Sequence, residues 1–351
     1  MADIKGFCIE NRRISMVDSP YVIAEVSANH NGKLETALKI IKEAKEAGAD
    51  AVKLQTYTAD TITLKSESED FKIKTGLWAG RTLHDLYTEA HMPWDWHKPL
   101  FEYAHELGIT VFSSPFDPTA VDLLEGLDAP AYKIASFEIV DLPLIKRVAS
   151  TGKPMIISTG MANASEIDEA IDAARMGGCT EIAILHCVSG YPAPASDYNL
   201  NTIPDMIARF GLVTGLSDHT LGNTTSLASV ALGARIIEKH FTLDRNGGGP
   251  DDSFSLEPSE LSELCQKIKE VWSALGSINY ERKSSELTNL KYRRSLYVVT
   301  DVRKGEHVTQ NNVRSIRPGY GMPSKYYDEV MGRLFVRDVP AGSALDSEMI
   351  K

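Results

Sequence analysis

The sequence predicts an α/β protein: a (β/α)8 barrel, the TIM-barrel fold class, over residues 1–276, a linker at 277–294 and a small β-rich domain at 295–351. Three observations predict it. Short apolar runs rich in Val and Ile alternate with amphipathic helical patterns along most of the chain. Eight such runs fall within roughly 250 residues, the usual size of a closed barrel of this kind. Beyond residue 276 the rhythm stops and a different, duplicated pattern begins. The runs mostly lack polar–apolar alternation, as parallel strands covered on both faces do. An open doubly wound sheet would instead place a Gly-rich fingerprint after the first strand, and Asn29-His30-Asn31-Gly32 is not one.

The elements follow in order. Residues 7–14 precede the first strand and read as a hairpin covering the barrel floor. Strands are expected at 21–26, 51–54, 110–113, 131–134, 155–158, 182–186, 212–216 and 235–239. Between the first two, residues 34–47 have a helical period: Leu34, Ala37, Leu38, Ile41 and Ala44 share one face, while Lys42, Glu43 and Lys45 take the other. Gly48, Gly108, Gly152, Gly178, Gly211 and Gly233 close successive helices, each suited to a left-handed cap. The stretch 56–93 is too long for an ordinary βα loop and is expected to carry function or an interface. Trp78, Trp94 and Trp96 read as packing residues. After 276, residues 277–294 are polar and charged. Two similar segments follow, 299–305 and 336–342, each a strand and a glycine turn leading to a short second segment at 309–313 and 346–350. They describe a pseudo-symmetric domain of about 60 residues, a size that is marginal alone.

Composition narrows the function. The 351 residues are 43% hydrophobic and 24% charged, with a net charge of −11. That balance excludes a general nucleic-acid binder, which needs a surplus of Lys and Arg against phosphates. Cys8, Cys179, Cys187 and Cys265 have neither zinc-ligand nor disulfide-framework spacing and read as cytosolic thiols. Residues 1–13 lack the apolar core of a signal peptide, and no apolar run approaches the ~20 residues of a membrane span. A cytoplasmic protein with no membrane partner is expected.

In such barrels the chemistry sits at the C-terminal strand ends, and here those ends are loaded with polar residues. In order they offer Glu25; Lys53 and Gln55; Ser113 and Ser114; Lys133, Ser136 and Glu138; Ser158-Thr159-Gly160; His186 to Tyr191; Ser217-Asp218-His219; and Glu238 and His240. A purely structural scaffold has no reason to aim two lysines, several glutamates and two histidines at one rim, so an enzyme is expected. Lys53 and Lys133 supply charge for a phosphate or carboxylate. Ser114, Ser136, Ser158 and Ser217 add hydroxyl donors, and Gly160 lets backbone N–H groups approach an anion. His219 and His240, on adjacent strands, suit a divalent metal with positions left open for substrate and water. His186, inside an apolar run, reads as a core histidine.

These residues, in this order, resemble the sialic acid synthase family of nonulosonic acid synthases. The resemblance rests on Glu25 with 29–32, Lys53-Leu54-Gln55, Tyr132-Lys133-Ile134-Ala135-Ser136, Ser158-Thr159-Gly160-Met161, Gly215-Leu216-Ser217-Asp218-His219, Glu238-Lys239-His240-Phe241 and Gly249-Pro250-Asp251. Arg317-Pro318-Gly319 in the tail is similar to that family's antifreeze-like (SAF) domain. The resemblance implies condensation of phosphoenolpyruvate with the open-chain aldehyde of an N-acetylated amino sugar. It implies that Lys53, Lys133, Ser114, Ser136, Ser158 and Ser217 hold phosphoenolpyruvate, and that His219 and His240 carry Mn2+, or Mg2+ or Co2+. Glu25 would handle protons or water at the enolpyruvyl carbon, making it catalytic with the two histidines. Gln55, Glu138, Tyr191 and Asp251 would grip the sugar. Ser189 stands at a further substrate contact, where neuraminate synthases often carry Asn. Arg317 would reach the partner's site in a domain-swapped homodimer. Ser27-Ala28, Phe137 and the loop at 76–81 resemble the pseudaminic branch, where a bulky Phe137 would favour a 6-deoxy sugar. The same chemistry on N-acetylmannosamine or a legionaminic precursor, a Schiff-base aldolase using Lys133, and a non-enzymatic carbohydrate- or ice-binding module suggested by the tail remain as alternatives.

Overall fold

The computed structural model describes residues 4–351, which form two compact units dividing after Gly276. The first opens with the hairpin β1 (Phe7–Ile9) and β2 (Arg12–Ile14). Its alternation is that of a one-sided ribbon: Phe7, Ile9 and Ile14 are buried and Cys8 is exposed. Eight strands follow: β3 (Tyr21–Glu25), β4 (Ala51–Thr56), β5 (Thr110–Pro115), β6 (Tyr132–Ile134), β7 (Met155–Ser158), β8 (Ile182–Cys187), β9 (Val213–Asp218) and β10 (Ile236–His240). Each pairs in parallel with the next, and β10 pairs with β3 to close the barrel. The eight expected strands are the eight observed. Several run one or two residues further, because the polar residues at their ends are also paired: Gln55 lies opposite Ser114 and Lys239 opposite Asp218.

The helix expected at 34–47 spans Leu34–Ala47, with Gly48 in the left-handed region at φ +94° returning its N–H to the Ala44 and Lys45 carbonyls. Its buried stripe is rotated from the expected one. Ile40 and Ala47 join Ala37, Ile41 and Ala44, while Leu34 and Leu38 are only partly covered. Gly215 is needed for a different reason: a Cβ there would lie 2.3 Å from the Ile236 carbonyl oxygen of the neighbouring strand.

Two apolar layers hold the barrel. Outside the strands, Val22, Val52, Val111, Ile157 and Ile184 pack under the helices. Inside, Phe7, Ile9 and Ile14 of the hairpin close the floor against Tyr21, Ile23, Phe112, Ile156, Leu185 and Ile236. The hairpin therefore covers the floor as its sequence suggests. The long stretch after β4 folds into short helices at Ala59–Ile62 and Leu83–Ala90, with an isolated Lys72–Thr82 bridge in the segment between them.

In the second unit, β11 (Ser295–Val298) pairs antiparallel with β12 (Val313–Ile316). The duplicated segments, expected as strands, form no strand of their own and meet at one isolated bridge, Val302 to Val339, as near two-fold partners. Val302 and Val339 exchange backbone hydrogen bonds of 3.0 and 2.9 Å. Asp301 accepts from the Ala341 N–H at 2.8 Å, and its counterpart Asp338 accepts from the Lys304 N–H at 2.7 Å. Residues 277–289 are exposed and include a helical turn at Ser284–Leu287. Among the described residues no helix is long and apolar enough to cross a membrane.

Candidate active site

Because side chains alternate along a strand, the residues at alternate positions near the β3, β4, β6, β7, β9 and β10 ends face one space. That space is a cavity of about 720 Å3 at the top of the barrel. Its floor is a charged cluster almost out of reach of water. Lys53 Nζ lies 2.6 Å from Glu25 Oε2 and 3.7 Å from Glu238 Oε1, and Lys133 Nζ lies 3.8 Å from the same Glu238 oxygen. Hydroxyls complete the shell: Lys53 donates to Ser114 Oγ at 3.3 Å, Lys133 donates to Ser158 Oγ at 2.7 Å, and Ser217 Oγ donates to Glu238 at 3.3 Å. Gln55 donates to both Glu25 at 2.8 Å and Ser27 at 3.0 Å.

Burial and pairing set the charge states. Burial alone would raise Glu238, but Lys133 and Lys53 outweigh it and hold the carboxylate below its ordinary range. Glu25 is the group that yields: burial pushes it up to about 7 although Lys53 opposes the shift. Burial would lower Lys53, yet Glu238 and Glu25 together keep it above its usual value. At Lys133 burial prevails over Glu238, and the amine is held below its ordinary range. Two lysines facing two carboxylates, one of them half-neutral near pH 7, leave room for an incoming anion.

Beside this cluster stand the two histidines, with ring centres 5.4 Å apart. The His219 Nδ1 hydrogen bonds the Val188 carbonyl at 2.7 Å, which leaves its other ring nitrogen free of that contact. His240 Nδ1 is buried without a hydrogen-bond partner, 3.9 Å from Asp251 Oδ2. Burial lowers His219 to about 4, and burial with the neighbouring His219 and lysines takes His240 well below its usual value. Neutral imidazoles are the form that binds a metal. An orphaned buried ring nitrogen next to a second neutral imidazole fits a divalent ion. Among the described residues no group of three or more His, Cys, Asp or Glu is arranged to hold one; an ion held by two imidazole nitrogens would have other positions open to substrate and water.

The wall away from the lysines is mixed. Glu138 has a buried, unpaired Oε2, and burial pushes its carboxyl up to about 7. Ser136 and Ser189 share a 2.8 Å hydrogen bond. Asp251 accepts from Ser27 Oγ at 2.5 Å. The glycine-rich loop that carries Asp251 is fastened by Asp252, which accepts from Asn31 Nδ2 at 3.0 Å and from the Gly249 N–H at 2.8 Å. Tyr191 lies 4.4 Å from the His219 ring and 5.9 Å from Trp78. Ile62, Ile73, Leu83, Leu86 and Tyr87 from the long stretch after β4 supply an apolar side.

Of the expected site residues, Glu25, Lys53, Gln55, Lys133, Ser136, Glu138, Ser158, Ser189, Tyr191, Ser217, His219, His240 and Asp251 line this one cavity. Ser114 stands behind it and acts on Lys53 instead. Arg317 belongs to the second unit. Trp78 is a correction. Its sequence context predicts packing, but it lines the cavity and donates from Nε1 to the Pro250 carbonyl at 3.1 Å. Glu238, to which the sequence assigns no separate role, lies between the two lysines. Its signal is the strand period: it is two residues before His240 and so on the same face of β10. His186 is the core histidine expected, bonded through Nε2 to the Tyr198 carbonyl.

Comparison with known proteins places the chain in a family. The NeuB family matches residues 40–280 and the SAF domain matches 293–351. Pseudaminic acid synthase of Campylobacter jejuni is 43% identical over 325 residues, covering 93% of this chain and 95% of the relative. The Helicobacter pylori pseudaminic acid synthase is 41% identical, covering 96% and 99%. Among solved structures, an N-acetylneuraminic acid synthetase from Leptospira borgpetersenii superposes with a TM-score of 0.73 at 31% identity, covering 82% of this chain and 95% of that one.

Proposed function

This chain belongs to the NeuB family, and on that premise we propose that it is a pseudaminic acid synthase. It condenses phosphoenolpyruvate with 2,4-diacetamido-2,4,6-trideoxy-L-altrose to give pseudaminic acid and phosphate. The observation that carries this reading is one cavity in which a buried two-lysine, two-carboxylate floor adjoins a pair of neutral histidines and a mixed apolar and carboxylate wall. The relatives that cover nearly all of the chain support the choice of sugar.

The chemistry assigns a part to each group. In the reaction, the methylene carbon of phosphoenolpyruvate bonds to the sugar aldehyde carbon, whose oxygen takes up a proton; water adds to the carbon that carries the phosphate and gives up a proton; and the bond from that carbon to the phosphate oxygen breaks. Lys53 and Lys133, with Ser136, Ser158 and Ser217 beside them on the cavity lining, hold the carboxylate and phosphate. Both are desolvated, so their charge-assisted bonds are strong. Glu25 takes a proton from the attacking water, a task suited to a carboxyl near 7. His219 and His240 would hold a divalent ion such as Mn2+, which polarises an aldehyde when bound. Glu138, Gln55, Tyr191, Ser189 and Asp251 orient the sugar, and Trp78 with Ile62, Ile73 and Leu86 accepts its acetamido and methyl groups.

Phosphate release measured with three sugars tests the substrate. The 2,4-diacetamido-6-deoxy-altrose is expected to turn over best. Faster release with N-acetylmannosamine or the legionaminic precursor would assign the chain to a sister branch.

The tail is proposed to work in trans, with Arg317 completing the site of a partner copy. Charge favours contact of a tail with a barrel, its own or a partner's, and the mixing experiment below separates the two: residues 277–351 carry thirteen Lys and Arg against nine Asp and Glu, whereas 1–276 carry 24 against 39. Unlike charges of that kind steer association. Mixing inactive Arg317→Ala and Glu25→Gln chains should restore about a quarter of wild-type activity with random exchange into dimers. No recovery after verified exchange would show that each tail serves its own barrel.

A further inference from the structure

Behind the two histidines lies an ion pair that the mechanism does not use. Lys239 Nζ sits 3.2 Å from Asp218 Oδ2, and the two side chains are 1% and 0% exposed. Neither lines the cavity. Asp218 immediately precedes His219 and Lys239 immediately precedes His240, and they lie opposite each other in the β9–β10 register. Alternation therefore puts the histidines inside the barrel and the ion pair on its outer face, under the helix Thr224–Ala231. Barrel strands usually present apolar residues there. Burying both charges forfeits their hydration and is seldom repaid in stability, so the pair requires another explanation.

Its hydrogen bonds supply one. Asp218 Oδ1 accepts from the Thr220 N–H and from Thr220 Oγ1, both at 2.8 Å, and Oδ2 accepts from Ser226 Oγ at 2.6 Å. Lys239 Nζ donates to the Thr220 carbonyl at 2.5 Å. Both polar groups of the Thr220 backbone are thus tied to the pair, and Thr220 is the residue after His219. The 218–220 turn is pinned on either side of the histidine. The histidine itself is fixed by its N–H to Tyr198 Oη at 2.6 Å and its ring to the Val188 carbonyl.

We propose that Asp218 and Lys239 are positioning residues which lock the strand ends carrying His219 and His240 at the separation a divalent ion requires. This inference rests on the reading of those histidines as metal ligands. Groups that orient a ligand without touching the metal typically change affinity about 10–100-fold. Here the pair would act through backbone rather than through the ligand ring.

The test is Mn2+ binding to the substrate-free protein, followed by the loss of the free-ion paramagnetic resonance signal, with circular dichroism as the check on folding. Lys239→Met should weaken Mn2+ binding about 10–100-fold, with Lys239→Arg recovering most of it. Ser226→Ala, which removes one bond to Asp218 from a neighbouring helix, should weaken it by a smaller factor. Folded Lys239→Met with wild-type Mn2+ affinity would overturn the proposal and leave the pair a fold element only. If Lys239→Met does not fold, Ser226→Ala decides, and unchanged affinity there overturns it. His219→Ala separates the two readings: if it binds Mn2+ as well as wild type, the metal-ligand assignment fails and takes this inference with it.

Discussion

The lower and upper halves of the barrel lumen have the same geometry and opposite chemistry. Ile23, Ala51, Phe112, Ala131, Ile156, Leu185 and Ile236 fill the lower half beneath the hairpin. Two residues further along the same strands, on the same inward face, stand Glu25, Lys53, Ser114, Lys133, Ser158, Cys187 and Glu238, all buried. The lower layer removes apolar surface from water at little cost. The upper layer strips water from four charges, a cost that pairing offsets only in part. The difference teaches where stability and function divide: one step of two residues separates the layer that holds the barrel from the layer that does the chemistry.

Three experiments would break or sharpen that division. The largest effect should come from the lower layer. Phe112→Ala removes a fully buried ring and should cost about 3–5 kcal/mol of folding stability in a denaturant titration. The molecules that remain folded should keep kcat/KM within a few-fold. A collapse of kcat/KM in the folded fraction would show that the two layers are coupled.

The upper layer should behave in reverse. Lys53→Met and Lys133→Met should each lose about 2–4 kcal/mol of transition-state stabilisation, read as kcat/KM for phosphoenolpyruvate. Because both amines face Glu238, the double variant should lose less than the sum. Stability should fall less than in Phe112→Ala, since Glu25 can take up a proton once Lys53 is gone. Unchanged kinetics in both single variants would remove the anion site.

The smallest effect is one of slope. Glu25 is raised from an ordinary 4.5 to about 7. Its protonated form is therefore favoured in the folded state, and its contribution to stability is complete below about 4.5 and lost as pH rises through about 7. Between those values wild type should lose up to about 1.4 kcal/mol per pH unit relative to Glu25→Gln. The comparison with Glu25→Gln is needed because His219, lowered from 6.5 to about 4, acts the other way. It binds its proton more readily in the unfolded chain, so stability is lost as pH falls from 6.5 towards 4. Parallel curves for wild type and Glu25→Gln would place the titration elsewhere.

Much of the site is legible in the amino-acid sequence. Lys53, Lys133, His219 and His240 each sit at the end of an apolar run, and the rule that chemistry gathers at C-terminal strand ends brings them together. Ser114 is a strand-end hydroxyl as its position implies, but it sits behind Lys53 rather than on the cavity. Glu238 is visible in the alternation of β10, yet nothing local distinguishes a carboxylate that bridges two lysines from one that faces water. Those lysines are more than 100 residues away in the chain. Trp78 lies in a stretch with no period to interpret, so its surroundings suggest only packing. Only the fold carries it 172 residues along the chain to the Pro250 carbonyl.

The amino-acid sequence by itself determined the barrel, the floor hairpin, the glycine caps and the set of polar residues that point inward, because strand and helix periods are local properties of the backbone. The tertiary structure decided which loops close the site. Asn31 meets Asp252, Ser27 meets Asp251, and the apolar helices after β4 supply a wall to the cavity. It also decided the charge states. Glu25 rises to about 7 while Glu238 stays ionised, although the two are the same amino acid at equivalent strand ends. Both are fully desolvated; Glu238 faces Lys133 as well as Lys53, whereas Glu25 is paired with Lys53 alone, and those partners are residues remote in the chain that only folding brings together.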